Sequence, residues 1–225
     1  MAKSSRITDP GGVRADARRN RERVLAAARA VFAEQGIDAP MATVARRAGV
    51  GVATLYRHFP TRDALVRGAF TRQMETCAQA LDDALAAPDP WQGFQRLIET
   101  VCELQRAEKG FPAAFVAAFP DSPAEHARSR ERVERDFSTL VRRAQAAGAL
   151  RADFHPSDLV VALLANCALI NALPDDGAAS RRLMAYLIQS FRADSANAPL
   201  PRPSSLSPRN LPITADKPKG HRNPA

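Results

Sequence analysis

The segment from residue 52 to residue 58, VATLYRH, combines small apolar side chains with four different polar groups. Its hydroxyl, phenol, guanidinium and imidazole belong to Thr54, Tyr56, Arg57 and His58. Small side chains allow close approach to base edges in a duplex groove, and polar tips can bond to the phosphates around it. The segment therefore has the chemistry of a surface that binds double-stranded DNA. The alternative interpretation is that Tyr56 and His58 are half-buried core residues.

Residues 40–59 must hold this segment at a surface, and their pattern predicts two short helices joined by a sharp turn. Gly49 lies at the turn, where a residue without a side chain can adopt a positive φ. Four apolar residues are spaced to close a small core beneath the pair, namely Val44, Val50, Leu55 and Phe59. The preceding helix is predicted over residues 16–35, with apolar residues at spacings of three and four. An ordinary helical hairpin is the alternative interpretation.

Three sequence pieces between Arg23 and Leu65 carry more information than their patterns alone: FAEQG at 32–36, ARRAGV at 45–50 and TLYRHF at 54–59. In these pieces, and in the FPTRDAL that follows, the chain resembles the TetR family of bacterial transcriptional regulators. The resemblance covers about the first third of the chain. It implies a three-helix DNA-binding domain whose last helix enters the major groove.

The resemblance, with the residue chemistry, predicts which side chains contact DNA. Tyr56, His58 and Arg62 are expected to hold phosphates, whereas Thr54 and Arg57 face the groove. The full predicted set is Thr43, Gly51, Val52, Ala53, Thr54, Tyr56, Arg57, His58, Arg62, Arg18 and Arg19.

Some positions depart from the family pattern. Gly51 stands where a capping Ser is usual, so a side-chain acceptor is lost. Val52 stands where Lys or another polar residue is common, and Ala53 stands where Gly is frequent. Arg62 matches the usual phosphate-binding Lys. The arginines at residues 14–23 either lie on the DNA backbone or form a solvated helix face.

The charge distribution supports a polyanionic partner for the first part of the chain. The 225 residues carry 32 Lys and Arg against 24 Asp and Glu, a net charge of +8. Residues 1–66 hold 12 basic and 6 acidic residues, whereas residues 67–195 are nearly neutral. No apolar run reaches the roughly 18 residues of a membrane span, and the polar N-terminus lacks a secretory signal. A cytoplasmic protein without membrane contact is expected.

The fold class predicted from periodicity is all-α, since no segment shows the alternation of a strand. The expected organisation is a flexible arm at 1–13, a helix-turn-helix DNA-binding domain at 14–66 with its motif at 40–59, and a larger helical ligand-binding and dimerisation domain at 67–195. Residues 196–225 carry seven prolines and little apolar content, which predicts a disordered basic tail.

The aromatic residues of the second domain have two interpretations. They are either simple core or the lining of a cavity for a small apolar ligand, as the resemblance implies for inducer-responsive regulators. The candidate ligand residues are Trp91, Phe94, Phe111, Phe115 and Phe119. Cys77, Cys102 and Cys167 are expected to be buried and reduced, and no metal or cofactor site is predicted.

A homodimer is predicted from two apolar helices near the end of the second domain. The helix at 156–173 is apolar on every face and must be covered, and the helix at 178–193 has a wide apolar face. A second subunit can cover both through a two-fold interface. The predicted interface residues are Leu164, Leu169, Leu183 and Leu187.

The resulting functional prediction is a sequence-specific DNA-binding regulator, a repressor that a small molecule releases from a near-palindromic operator. It is not expected to be an enzyme, because no nucleophile–base pair, metal set or phosphate loop is evident. Two alternatives stay open: a non-specific or architectural DNA-binding protein, and an all-α enzyme or small-molecule carrier.

Overall fold

The computed structural model describes residues 10–108, 124–173, 177–195 and 198–204, with side chains from residue 18 and, in the second stretch, from residue 131. Every regular element in these residues is helical, which confirms the all-α prediction; their one β-bridge pairs Leu150 with Arg192. The helices are α1 (Pro10–Gln35), α2 (Met41–Ala48), α3 (Val52–His58), α4 (Arg62–Ala86), α5 (Pro90–Ala107), α6 (Ala124–Ala146), α7 (Pro156–Ala172) and α8 (Ala178–Phe191), followed by a 3-10 turn (Ala193–Ser195).

The chain forms two compact units, Met1–Ala69 and Phe70–Ala225. The division falls inside α4, where Phe70 leaves the helical conformation (φ −119°, ψ 17°). In the first unit, Nη1 of Arg29 donates to the carbonyl of Ala69 at 3.1 Å, so the backbone next to this break has a partner.

Helix α1 begins at Pro10, six residues before the predicted start. The flexible arm predicted for residues 1–13 is therefore wrong for 10–13, which are helical, and residues 1–9 lie outside the described residues. Proline is well suited to the first turn of a helix, because no intrahelical partner is needed for its missing N–H there. Once the turn after it has formed, each further residue adds a hydrogen bond at low cost.

The turn between α2 and α3 has the predicted geometry. Gly49 adopts a left-handed conformation (φ 65°, ψ 35°), and the N–H of Val50 donates to the carbonyl of Ala45 at 3.0 Å. Leu55 is fully buried and Phe59 is nearly so, which confirms the small core beneath the helix pair. Val50, predicted to share that core, is only half-buried because it follows the turn directly.

Phe59 fixes the end of α3 against its neighbours in the first unit. The guanidinium carbon of Arg21 lies 4.8 Å from the centre of the Phe59 ring, a cation–π contact. A Cβ added to Gly68 would lie 2.9 Å from Cε1 of Phe59. Glycine at position 68 therefore lets the start of α4 approach the ring closely.

In the second unit, side chains satisfy several helix ends. Oδ1 of Asp89 accepts from the N–H of Trp91 at 2.9 Å, which caps α5. His155 caps α7, because its Nδ1 accepts from the N–H of Ser157 at 3.2 Å. Nη2 of Arg143 in α6 donates to the carbonyl of Ala87 at 3.1 Å, just beyond the end of α4.

Part of the tail has a fixed place on the second unit. Nη2 of Arg151 donates to the carbonyl of Ala198 at 3.0 Å, and the N–H of Leu200 donates to Oδ2 of Asp153 at 2.8 Å. The disorder predicted for residues 196–225 is therefore wrong for 198–200. The prediction rested on composition, which does not show that a segment has hydrogen-bond partners elsewhere in the chain. Residues 205–225 lie outside the described residues.

Candidate nucleic-acid interface

Helix α3 divides its side chains between the core and the surface. Leu55 is fully buried, whereas Val52 is 42% exposed and Tyr56 is 46% exposed. Ala53 and Arg57 are also exposed, and Thr54 and His58 are half-buried at the flanks. The small and polar groups of the segment thus form its accessible face.

The residue before α3 is extended and exposed. Gly51 (φ −66°, ψ 145°) is the N-cap, and its carbonyl accepts from the N–H of Leu55 at 3.0 Å. Because glycine has no side-chain acceptor, the N–H groups of the first turn receive no side-chain cap. The sequence predicted that glycine at this position would leave α3 without a side-chain cap, and the structure confirms it.

Arg62, at the first position of α4, is paired with an acid from an earlier loop. Its Nη1 lies 3.1 Å from Oδ1 of Asp38, and the N–H of Ala64 donates to Oγ1 of Thr61 at 3.1 Å. The hydroxyl of Thr61 thus caps α4 and places Arg62 at the edge of the unit, near the end of α3. Sequence reasoning found Arg62 and missed its partner, which lies 24 residues away.

A second ion pair links α2 to α1. The guanidinium of Arg47 donates to Oε2 of Glu34, and this hydrogen bond lowers the pKa of the Glu34 carboxyl. Both side chains are about half exposed, so solvent screens the pair. The pair joins the helix before the turn to the N-terminal helix, and sequence reasoning did not identify it.

The remaining predicted contacts lie on α1 and α2. Arg18 and Arg19 are exposed on α1, and Thr43 is half-buried on α2. A shallow surface depression follows the same part of α1 and is lined by Arg19, Asn20, Glu22, Arg23 and Ala26. Within it, Nη2 of Arg23 donates to Oδ1 of Asn20 at 2.8 Å, so one of its arginines is oriented by a neighbour.

In the second unit, two of the five predicted ligand residues belong to an aromatic cluster. Trp91 and Phe94 are buried, with ring centres 5.7 Å apart. Phe94 also contacts the rings of Phe137, Phe154 and Phe191, at centre distances of 6.2, 5.5 and 6.5 Å. This packing is that of a core. Phe111, Phe115 and Phe119 lie outside the described residues, so the ligand cavity stays a prediction.

A pair of buried amides joins α5 to α7. Nε2 of Gln105 donates to the carbonyl of Leu163 at 3.2 Å, which turns its Oε1 toward Asn166. Nδ2 of Asn166 donates to that Oε1 at 2.7 Å, and Oδ1 of Asn166 is buried without a hydrogen-bond partner. The helix predicted to be apolar on every face thus carries a buried amide.

The predicted dimer residues lie on the accessible parts of α7 and α8. Leu164 is exposed, and Leu169, Leu183 and Leu187 are half-buried. Three further large apolar residues on or beside these helices are exposed, namely Val161, Leu173 and Tyr186. Within one chain, therefore, α7 is not covered on every side.

The cysteines are placed for packing rather than for reaction. Burial raises the pKa of the thiols of Cys77 and Cys102 to about 12, and it raises the pKa of Cys167 as well. A thiol with a raised pKa is a weak nucleophile at neutral pH. The described residues contain no group of three or more His, Cys, Asp or Glu side chains that could hold a metal. Among them there is also no helix both long and apolar enough to span a bilayer.

Two family models match the chain. The first, described as bacterial regulatory proteins of the tetR family, covers residues 24–69. The second, described as the C-terminal domain of SbtR-like transcriptional regulators, covers residues 89–193. The two matches lie in the two compact units.

Individual relatives agree with the family models. The chain is 35% identical over 136 residues to the HTH-type transcriptional repressor KstR of Mycobacterium tuberculosis, which is 58% of this chain and 60% of that protein. The KstR of Mycolicibacterium smegmatis is also 35% identical over 136 residues, covering 58% of this chain and 65% of the relative. The chain thus spans less than two thirds of the length of these relatives.

A solved structure shows the same fold. The TetR family transcriptional regulator PfmR of Thermus thermophilus is 20% identical, with a TM-score of 0.51. The likeness covers 75% of this chain and 96% of that one. At this identity it supports the helical architecture alone.

Proposed function

The chain belongs to the TetR family of bacterial regulatory proteins, and on that premise we propose that it is a sequence-specific DNA-binding transcriptional repressor. A small apolar molecule bound by the second unit lowers its affinity for a near-palindromic operator. Both mycobacterial relatives are named as transcriptional repressors, which supports the direction of regulation.

The observation that carries this proposal is the division of α3 into a buried and an accessible side. Leu55 anchors the helix in the core, so Ala53 and Arg57 are presented to the surroundings. A helix held in this way can enter a major groove without unpacking its own unit. Arg57 and Thr54 then reach base edges, and the same helix brings Tyr56 to the phosphates.

Phosphate contacts surround this helix. Tyr56 is exposed on one flank of α3, His58 is half-buried on the other, and Arg62 begins the next helix. Arg18 and Arg19 supply further positive charge from α1. Such contacts hold the protein on the duplex and give it a salt-dependent affinity, while the groove contacts select the sequence.

Dimerisation follows from the apolar surface of the second unit. Leu164 and Tyr186 are exposed although they are large, and half-buried leucines accompany them on both helices. A two-fold pairing of α7 and α8 with a second copy removes this surface from water. Two reading helices related by that axis fit an operator with two similar half-sites.

The regulatory step is a shift between two shapes of the dimer. An apolar ligand that binds one shape more tightly favours that shape, and the operator favours the other. Phe111, Phe115 and Phe119 stay the proposed ligand residues, whereas Trp91 and Phe94, the other two candidates from the sequence, pack as core. Catalysis and a cofactor form no part of this function, and the proposed location is the cytoplasm.

The test is selection of bound duplexes from a random pool, followed by footprinting on the DNA that flanks the protein's own gene. We expect a near-palindrome, with binding far stronger than to random DNA of the same length. Tyr56→Phe and Arg62→Ala should weaken binding to all sequences about equally. The matched control is Arg132→Ala, an exposed arginine of the second unit. Normal operator binding by both α3–α4 variants, or equal binding to random DNA, would contradict the proposal.

A further inference from the structure

Val52 is an exposed apolar residue in the first turn of the helix proposed to enter the groove. In the described part of the first unit, Val52 and Tyr56 are the large hydrophobic residues left accessible, at 42% and 46%. Tyr56 has a hydroxyl for a polar partner, whereas the accessible surface of the Val52 side chain consists of methyl groups. A contact made by Val52 is therefore apolar.

The neighbours of Val52 provide no alternative polar reader. Gly51 has no side chain, and Ala53 has a single methyl group; both are exposed. The first turn of α3 thus has no side-chain donor or acceptor before Thr54, which is half-buried. Any sequence preference that arises at this turn must come from shape and apolar contact.

The major groove offers one apolar group to such a surface. Guanine, cytosine and adenine present donors and acceptors there, and thymine adds its C5-methyl group. Polar base edges without a partner lose hydrogen bonds with water when a valine covers them. An exposed valine in the groove therefore favours a thymine over the other three bases.

We propose that Val52 reads the C5-methyl group of a thymine at one fixed position in each half-site of the operator. This inference rests on the proposed function, because it requires α3 to lie in the major groove. Val52 is then a specificity-determining residue that acts without a hydrogen bond. A pyrimidine without the C5-methyl group at that position loses the contact with Val52.

The experiment replaces each thymine of the selected operator, one at a time, with deoxyuridine, which removes only the methyl group. We expect one position in each half-site at which the replacement weakens binding by the wild-type dimer about fourfold, the factor for burying one such group. The other thymines serve as internal controls, and their replacement should leave the affinity unchanged.

Three protein variants assign the effect. Val52→Ser has neither methyl group and should bind the thymine and deoxyuridine duplexes about equally at that position, whereas Val52→Ala keeps a shorter apolar side chain and should give a ratio below fourfold. Ala53→Gly removes the neighbouring methyl group and should keep the fourfold ratio. Since Val52 touches no phosphate, Val52→Ala should also keep the salt dependence of the wild type. A cooperative thermal transition in each variant, with its midpoint well above the assay temperature, shows that the first unit stays folded.

The outcomes separate this inference from the proposed function. A selected operator with no sensitive thymine, or a methyl effect that stays fourfold in Val52→Ser, would overturn the assignment to Val52 and leave repressor function intact. A wild-type protein that prefers no sequence over random DNA would overturn the proposed function itself.

Discussion

Nη1 of Arg62 lies 3.1 Å from Oδ1 of Asp38, so the side chain proposed to hold a phosphate already faces a carboxylate. The two side chains are 40% and 58% exposed, and ion pairs this open contribute only about 0–1 kcal/mol. A phosphate can therefore replace Asp38 as the partner of Arg62. If Arg62 holds a phosphate as proposed, Asp38 competes with DNA for that guanidinium and repels the phosphates near it.

The first prediction follows from this competition. Asp38→Asn should raise operator affinity by about twofold to threefold at low salt, since it frees Arg62 and removes a negative charge; screening should reduce the gain at high salt. Binding isotherms at several salt concentrations measure it. Glu34→Gln is the matched control, because it makes the same charge change beside Arg47. An equal gain in both variants would mean that net charge alone is responsible.

The second prediction concerns the buried amides of the second unit. Gln105→Met removes the partner of Nδ2 of Asn166, and one newly unpaired buried group costs about 1–3 kcal/mol of unfolding free energy. Asn166→Leu should cost less, because it also removes an oxygen that has no partner in the native unit. The unfolding free energy of the double variant should be close to that of wild type. Urea unfolding of the four proteins at one fixed protein concentration gives the coupling free energy between the two amides. Additive losses would show that the two amides do not depend on each other.

The third prediction concerns assembly. Leu164→Glu and Leu187→Glu each place a charge in the proposed two-fold interface, where its desolvation opposes pairing. Sedimentation velocity should then show monomers or aggregates, with loss of operator binding. Leu200→Glu is the control, because Leu200 is 44% exposed on the tail segment and should leave the dimer unchanged. A wild-type monomer at micromolar concentration would contradict the proposed assembly.

The fourth prediction concerns pH and the Asp153 carboxyl. The hydrogen bond from Arg151, together with the N–H of Leu200, lowers the pKa of Asp153 to about 2. The stability it contributes is present above its ordinary pKa of 3.8 and is lost as the pH falls toward 2. The melting temperature of wild type should exceed that of Asp153→Asn at neutral pH, and the difference should shrink between about pH 4 and pH 2. A constant difference across that range would exclude this carboxylate as its source.

The fifth prediction separates two parts of the tail. A chain ending at Ser195 loses the carbonyl of Ala198 and the N–H of Leu200, so its melting temperature should drop by about 2–4 °C. A chain ending at Ser204 keeps both groups and should melt like the full chain. Equal melting of the two truncated chains would show that the contacts to Arg151 and Asp153 add nothing.

The parts of the fold that follow local rules could be predicted from the sequence. The positive φ of Gly49 and the burial of Leu55 and Phe59 follow from turn chemistry and helical spacing. The exposed side of α3 could be predicted in the same way, because it consists of the residues that helical spacing does not place in the core.

The parts that depend on distant partners could not be predicted. Asp38 reaches Arg62 across 24 residues, and Leu200 reaches Asp153 across 47. From composition alone, such residues are assigned to the surface or to a disordered tail. A charged or proline-rich segment does not indicate where in the chain its partner lies. The extent of α7 that one chain leaves uncovered also depends on how α5, α6 and α8 pack, which periodicity does not fix.

The division of α3 has an evolutionary consequence. Three of the residues proposed to face DNA, Val52, Ala53 and Arg57, are exposed, and none is among the buried residues of the first unit. Exposed substitutions of this kind usually change the unfolding free energy by less than about 0.5 kcal/mol. Duplicated copies of such a gene can therefore drift toward new binding sites through these positions, while selection on folding acts on Leu55 and Phe59. Divergence of specificity and conservation of the scaffold then act on different residues of one seven-residue helix and its C-cap.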